Sequence, residues 1–227
     1  MKTLAGVLGG QLPKLVMFDL DGTLIDSVPD LAVATDQMLL QLGRAPAGMD
    51  KVRNWVGNGA PVLVRRALAD DFDHQAISAE QEAEALAIFM QVYGVGESLT
   101  TLYPGALDTL QSLHLLGIKI ALVTNKPEKF IPQLLADTQM AEFFEWIVGG
   151  DTFAQKKPDP SGLLWVMQQA GVTAEQCLFV GDSRNDVQAA HAANVACVAV
   201  TYGYNYGEPI SADKPALVVD DLRELFL

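Results

Sequence analysis

Short apolar runs alternate with longer amphipathic stretches along most of this chain. The runs at 14–18, 118–123, 146–148, 177–180, 195–200 and 217–219 are typical of buried strands, the last of them at a sheet edge. From Tyr103 onward, stretches with helical periodicity lie between the runs, near 105–116, 128–137, 161–170 and 186–193. This alternation predicts a doubly wound, mostly parallel sheet of the α/β class.

One long segment interrupts the alternation. About a hundred residues separate the first strand from the second, which is too many for one crossover helix. Helical periodicity recurs within the segment, at 28–42, 60–69 and 79–92, and no strand pattern competes with it. We therefore expect an all-α cap domain at 27–99, inserted into a core domain formed by 1–26 and 100–227. Residues 1–10 predict a flexible tail.

Composition and charge exclude several classes of protein. The chain has 227 residues, of which 50% are hydrophobic, so a sizeable core is available. No apolar run reaches the roughly 18 residues that a membrane span needs. The net charge of −13 argues against nucleic acid and anionic membranes as partners, since both require a basic face.

Cysteine use and the N-terminus bear on the compartment. Cys177 and Cys197 fall in predicted core strands and are expected to be free and buried. Free thiols suit a reducing compartment, and the first ten residues have no clear cleavage site. We expect a cytoplasmic protein, either a monomer or a homodimer.

Two carboxylates follow the first strand. Asp19 ends that strand and Asp21 lies two residues later, before Gly22 and Thr23. A carboxylate at the carboxyl edge of a sheet can attack phosphorus, and a second acid can protonate the leaving oxygen. Carboxylates this close favour Mg²⁺, which takes oxygen ligands. The alternative is an ordinary turn. A calcium loop is excluded, because its glycine would be sixth and Gly22 is fourth.

Three further polar clusters follow predicted strands or stiff turns. Thr124 and Asn125 can hold phosphate oxygens, or form an ordinary helix cap. Lys157, before a proline, can balance negative charge, although its neighbour Lys156 has the same chemistry and a solvated surface lysine is the simpler interpretation. Asp182 ends another strand. Asp186, one helical turn later, is either a metal ligand, a group behind the ligands, or a carboxylate at a helix N-terminus.

The order of these four clusters resembles that of the haloacid dehalogenase-like phosphohydrolases. The resemblance implies a Rossmann-like core with a helical cap, and it implies Mg²⁺ as the cofactor. It assigns roles to five residues. Asp19 is the nucleophile and a metal ligand, and Asp21 is the general acid/base and binds the metal through its backbone carbonyl. Thr124 is the phosphate-binding hydroxyl, Lys157 the charge-balancing cation and Asp182 the third metal ligand. Gly22, Thr23 and Asn125 are expected to join the phosphate site.

Segments outside the motifs narrow the resemblance to one bacterial branch of that family. The segments outside the motifs include 56–68 and 201–207. The segments 14–30 and 124–127, which contain motifs, also carry this narrower resemblance. This narrower resemblance implies a small phosphorylated acid, 2-phosphoglycolate, as the substrate. The alternatives are a phosphatase for a sugar phosphate or a nucleotide, a phosphomutase, and a phosphate-binding protein without activity. The complete set of acids argues against the last of these.

The cap contains one candidate substrate site. The glycines of Gly57-Asn58-Gly59 allow a close backbone approach, and a helix starting at Ala60 would direct its positive end toward an anion. We hypothesise that Arg53, Asn58 and Gly59 meet the substrate carboxylate, with Arg53 able to pair bidentately. The alternative is a helix–helix turn beside a solvated arginine.

Overall fold

The computed structural model describes residues 3–95 and 98–226. Eight strands lie in these ranges: β1 Leu15–Phe18, β2 Ile25–Asp26, β3 Thr101–Leu102, β4 Lys119–Val123, β5 Trp146–Val148, β6 Cys177–Gly181, β7 Ala196–Val200 and β8 Leu217–Val219. Six of them form the main sheet in the order β5-β4-β1-β6-β7-β8, and every pairing in it is parallel. The prediction of a doubly wound parallel sheet is confirmed.

Nine α-helices surround this sheet or form the cap within the described residues. They are α1 Leu4–Val7, α2 Val28–Gln41, α3 Met49–Trp55, α4 Ala60–Ala69, α5 Ala79–Val92, α6 Ala106–Leu115, α7 Ile131–Asp137, α8 Ser161–Ala170 and α9 Arg184–Ala192. Short 3₁₀ turns at Glu128–Phe130, Ala141–Phe143, Ala174–Gln176, Ile210–Asp213 and Leu222–Phe226 complete the connections.

Strand β1 lies at the centre of the sheet, and all four of its residues are fully buried. Leu15 and Met17 pack with α8 and α9 on one face, whereas Val16 and Phe18 pack with α1, α6 and α7 on the other. This alternation follows from the two-residue period of a strand. The chain order reverses beside β1, with β4 on one side and β6 on the other. Open α/β sheets bind ligands at the carboxyl edge of such a switch point.

The cap, defined here as helices α2 to α5, has its own apolar core. Val52, Trp55, Val64 and Phe89 are among the buried side chains of this core. At its junction with the main domain, β2 and β3 pair antiparallel, with Ile25 opposite Leu102. The two segments that connect the cap to the main domain therefore lie side by side.

Two features of the described chain depart from the sequence predictions. The expected flexible tail is wrong for residues 4–7, which form α1 with Leu4 buried in the main core. The prediction for the cap domain did not include α3. This helix begins after Gly48, and no side chain of the described residues hydrogen-bonds to the N–H groups of its first turn. Met1 and Lys2 lie outside the described residues.

Two other expectations can be compared with the fold. Both cysteines are free and buried, as predicted. None of the helices described is long and apolar enough to cross a membrane.

Candidate active site

Three carboxylates converge at the carboxyl ends of β1 and β6. Asp19, Asp182 and Asp186 each offer an oxygen that lies within 4.8 Å of the others. Burial raises the pKa of Asp19 to about 6, although Lys157 opposes this shift. Burial and repulsion by Asp186 and Asp19 raise the pKa of Asp182 well above its usual range. Buried carboxylates with raised pKa values gain most from a cation that neutralises them.

The donor set fits a hard divalent cation. All three groups offer carboxylate oxygens, the ligands that Mg²⁺ prefers. Asp19 Oδ1 is buried and forms an ion pair with Lys157 Nζ, 2.9 Å away. A divalent cation would add to this neutralisation, because Lys157 brings a single positive charge to a cluster of three carboxylates.

Asp182 is held rigidly by its surroundings. The Thr23 hydroxyl donates to its Oδ1 at 2.7 Å, and the Tyr204 backbone N–H donates to its Oδ2 at 2.6 Å. A Cβ on Gly22 or on Gly203 would come within 2.2 Å of an Asp182 side-chain atom. Both glycines are therefore needed for this carboxylate to occupy its position.

These contacts give Gly22 and Thr23 a second role, beside the contact with phosphate that the sequence predicts for them. The Gly22 N–H donates to the Ile25 carbonyl at 2.9 Å and is not free for an anion. Thr23 is fully buried, and its hydroxyl is directed at Asp182. In this arrangement the two residues shape and orient the acidic cluster, and their contact with phosphate stays a prediction.

Lys157 joins the acidic cluster. Its Nζ lies 2.7 Å from Asp186 Oδ1 and 2.9 Å from Asp19 Oδ1. Burial alone would lower the pKa of Lys157, but the two carboxylates outweigh it and raise that pKa. Lys156 is only half-buried, and burial lowers its pKa. The structure thus separates two lysines that sequence chemistry left equivalent.

Asp186 uses both oxygens within the protein. Its Oδ2 accepts the backbone N–H groups of Asp182 and Ser183 and the Ser183 hydroxyl, at 2.8–3.1 Å, in a capping box at the start of α9. Its Oδ1 accepts Lys157. Asp186 is therefore both a helix-terminal carboxylate and the partner that orients Lys157.

Asp21 faces away from this cluster, toward the cap. The Ser27 hydroxyl donates to its Oδ1 at 2.5 Å, and Lys126 Nζ lies 3.0 Å from the same atom. Lys126 is almost fully buried and also donates to the Tyr93 hydroxyl at 2.5 Å. Sequence reasoning missed Lys126, although its position directly after Thr124-Asn125 was a usable signal.

Thr124 and Asn125 follow β4 and reach the same edge. The Thr124 N–H donates to Val148 O at 2.9 Å, and its side-chain oxygen accepts the Lys126 N–H at 3.3 Å. Asn125 Nδ2 donates to Gly57 O and to Lys157 O, both at 2.9 Å. Asn125 thereby links the core motifs to the cap.

A small cavity of about 50 Å³ lies between the cap and this sheet edge. The core contributes Asp19, Asp21, Thr124, Asn125 and Lys126 to its wall. The cap contributes Gly57 and Gly59 together with apolar side chains. The nucleophile candidate and the acid/base candidate, Asp19 and Asp21, therefore border the same cavity.

The Gly57–Gly59 turn docks the cap on the core. Gly57 O accepts Asn185 Nδ2 at 3.0 Å, and Asn58 Oδ1 accepts the Tyr206 hydroxyl at 2.9 Å. A Cβ on Gly59 would lie 3.0 Å from Lys156 Nζ. Glycine at this position permits the close approach.

Arg53 lies elsewhere. Its guanidinium pairs with Asp26 at 3.4 Å and lies over the Tyr204 ring, 5.3 Å from its centroid. It lines a separate cavity behind Asp182 and not the one that Asp19 and Asp21 border. Of the three cap residues predicted to meet the substrate, Gly59 lines the candidate site. Asn58 contacts Tyr206 of the main domain, and Arg53 pairs with Asp26.

Comparison with known proteins gives a consistent result. Residues 13–194 match the family model of the haloacid dehalogenase-like hydrolases. Phosphoglycolate phosphatase of Pseudomonas putida KT2440 is 62% identical over 216 residues, which is 95% of this chain and 79% of that protein. Phosphoglycolate phosphatase 1 of Pseudomonas aeruginosa PAO1 is 57% identical with the same coverage.

A solved structure shares the whole architecture. The crystal structure of a predicted phosphoglycolate phosphatase from Haemophilus somnus 129PT superposes with a TM-score of 0.86 at 36% sequence identity. The match covers 94% of this chain and 96% of that one. Both the main sheet and the cap of this chain are therefore shared with that protein.

Proposed function

Because the chain belongs to the haloacid dehalogenase-like hydrolase family, we propose that it is a phosphatase that hydrolyses 2-phosphoglycolate to glycolate and phosphate. One observation carries the reaction type. Asp19 and Asp21 border the same cavity, yet each has a different lysine, Lys157 for Asp19 and Lys126 for Asp21. Two carboxylates in different surroundings can take different roles in one reaction.

The proposed reaction has two steps. In the first, an Asp19 oxygen attacks phosphorus while Asp21 gives its proton to the departing glycolate oxygen, which leaves an aspartyl-phosphate on Asp19. In the second, Asp21 takes a proton from a water molecule, whose oxygen attacks phosphorus and releases phosphate. Asp19 is then a free carboxylate and Asp21 is again protonated, so protons and bonds balance.

Lys157 and Thr124 stabilise the charge that develops on the phosphoryl oxygens. Lys157 is already oriented by Asp186, so its placement requires no rearrangement during reaction. Thr124 lines the same cavity as Asp19. Asn125 is suited to connecting the phosphate-binding part of the site to the cap, through its hydrogen bond to the Gly57 carbonyl.

The acidic cluster is suited to Mg²⁺. Asp19, Asp182 and the backbone carbonyl of Asp21 would hold the ion, with Asp186 behind them. The ion would supply positive charge to the phosphate oxygens and neutralise the carboxylates. Thr23 and the Tyr204 backbone keep Asp182 in position for this role.

The cap limits access of bulk water to the reacting groups. The cavity wall on the cap side includes Leu31, Leu63 and Phe89, which leaves little for bulk water to bind. In the docked arrangement Gly57 and Asn58 contact the main domain directly. We infer that the cap opens to admit substrate and closes for the reaction.

The substrate assignment rests on relatives named phosphoglycolate phosphatase that match nearly the whole chain. Its test is phosphate release from 2-phosphoglycolate beside sugar phosphates and nucleotides, with Mg²⁺ and with EDTA. We expect Mg²⁺-dependent release that is fastest with 2-phosphoglycolate. Faster release from another panel member would keep the phosphatase and overturn the substrate, and no release from any member would overturn both.

A further inference from the structure

The catalytic cavity has one cationic side chain among the described residues that line it. The four acidic and polar groups Asp19, Asp21, Thr124 and Asn125 occupy its floor, and most of the remaining wall is apolar. Lys126 is the exception. An anionic group that enters an apolar cavity loses hydration and needs a cation in return.

Lys126 is fixed in place from two domains. Its Nζ donates to Asp21 of the core at 3.0 Å and to the Tyr93 hydroxyl at 2.5 Å, at the end of the cap helix α5. The Tyr93 ring also packs beneath it, with Nζ 4.8 Å from the centroid. An ammonium group has three protons. Asp21 Oδ1 and Tyr93 take two of them, and the third has only a longer contact of 3.4 Å with Asp21 Oδ2, which a ligand carboxylate would replace.

Among the contacts of the described residues, the buried Lys126 ammonium has one carboxylate partner, Asp21, and that carboxylate also accepts the Ser27 hydroxyl. Its other partner is the neutral Tyr93 hydroxyl of the cap.

We propose that Lys126, positioned by Tyr93, binds the carboxylate of the substrate and selects for phosphorylated acids. The inference rests on the proposed function and adds the residue responsible for specificity. In 2-phosphoglycolate a single carbon separates the ester oxygen from the carboxylate. A cation that contacts Asp21, the proton donor to that ester oxygen, is therefore within reach of the carboxylate.

This assignment replaces Arg53 in the substrate site. Arg53 is engaged with Asp26 and lines another cavity. Lys126 satisfies the same chemical requirement from inside the catalytic cavity.

The test compares two substrates that differ in one group. They are 2-phosphoglycolate and 2-hydroxyethyl phosphate, in which an alcohol replaces the carboxylate. The variants are Lys126→Met and Lys126→Arg, with Lys129→Met as the control, because Lys129 is exposed on the same segment and does not line the cavity. The measured quantity is the ratio of kcat/KM for the two substrates. Any damage to Asp21 affects both substrates and cancels in this ratio.

We expect Lys126→Met to reduce the ratio by about 30-fold or more, as for loss of one partner in a buried charged pair. Lys126→Arg should retain most of it, and Lys129→Met all of it. A second measurement avoids turnover altogether. Inhibition by 3-phosphonopropionate should weaken in Lys126→Met far more than inhibition by propylphosphonate.

Two results would overturn the inference. The first would leave the proposed function intact, and the second would overturn the proposed substrate as well. If the unmodified enzyme prefers 2-phosphoglycolate and Lys126→Met keeps that preference, Lys126 acts only through Asp21 and the proposed function stands. If the unmodified enzyme shows no preference for the acid, the substrate assignment and the carboxylate site both fail.

Discussion

Replacing Lys157 with methionine removes the ammonium group that lies between Asp19 and Asp186. Methionine keeps much of the side-chain volume, so the change tests charge more than packing. The lysine is buried and lies 2.7 Å and 2.9 Å from its two carboxylate partners. Its removal leaves Asp19, Asp182 and Asp186 crowded together with no compensating cation. Breaking a buried ion pair in this way typically costs about 3–5 kcal/mol.

That cost predicts a lower melting temperature without divalent cations. For a chain of this size 1 kcal/mol corresponds to roughly 2–4 °C, so we expect Lys157→Met to melt at least about 6 °C lower at pH 7.5. The assay is thermal unfolding in EDTA, followed by circular dichroism. Lys156→Met is the matched control, because Lys156 is adjacent but only half-buried and takes part in neither of these ion pairs.

The destabilisation should depend on pH with a definite sign. Burial raises the pKa of Asp19 from 3.8 to about 6, so the folded protein binds this proton more tightly than the unfolded chain does. Folding stability therefore falls as pH rises through that window, and loss of Lys157 makes the fall steeper. The deficit of Lys157→Met should be smaller at pH 5 than at pH 7.5. Equal melting of the Lys157 and Lys156 variants at pH 7.5 would refute this reasoning.

Two other predictions concern the acidic cluster. Mg²⁺ should raise the melting temperature more at pH 8 than at pH 5, because the raised pKa values of Asp19 and Asp182 make protons compete with the metal at low pH; equal shifts at the two pH values would contradict this. Gly22→Ala should weaken Mg²⁺ binding in calorimetric titrations by about tenfold or more, because its Cβ would meet Asp182 Oδ2 at 2.2 Å. Gly117→Ala controls for backbone strain, since Gly117 also has positive φ but has open space around it; equal Mg²⁺ binding by the two alanine variants would count against the steric argument.

The strand-end motifs were predictable from sequence because they depend on local pattern. Each apolar run is short and ends in a polar group, and parallel strands bring their carboxyl ends to one edge. Asp19, Thr124 and Asp182 therefore meet as expected at the edge of the sheet. Cap helices with strong helix formers, such as α5, were predictable for a similar reason.

Contacts between distant segments were not predictable in this way. Thr23 donates to a carboxylate 159 positions away, and Lys126 contacts Asp21 across 105 positions. No local pattern encodes which of several polar groups a side chain will meet. The short helices α1 and α3 were missed because they have few residues and are stabilised by packing of buried side chains such as Leu4 and Val52.

The central claim is that Asp19 attacks phosphorus and carries the phosphoryl group. Its most direct test is to quench the enzyme with acid during turnover of 2-phosphoglycolate, reduce it with borohydride and sequence its peptides by mass spectrometry. Borohydride converts an aspartyl-phosphate to homoserine, so the account predicts homoserine at position 19, appearing only with substrate and Mg²⁺ and absent from Asp19→Asn. Homoserine at position 21 or 182 instead, or full turnover by Asp19→Asn, would contradict it.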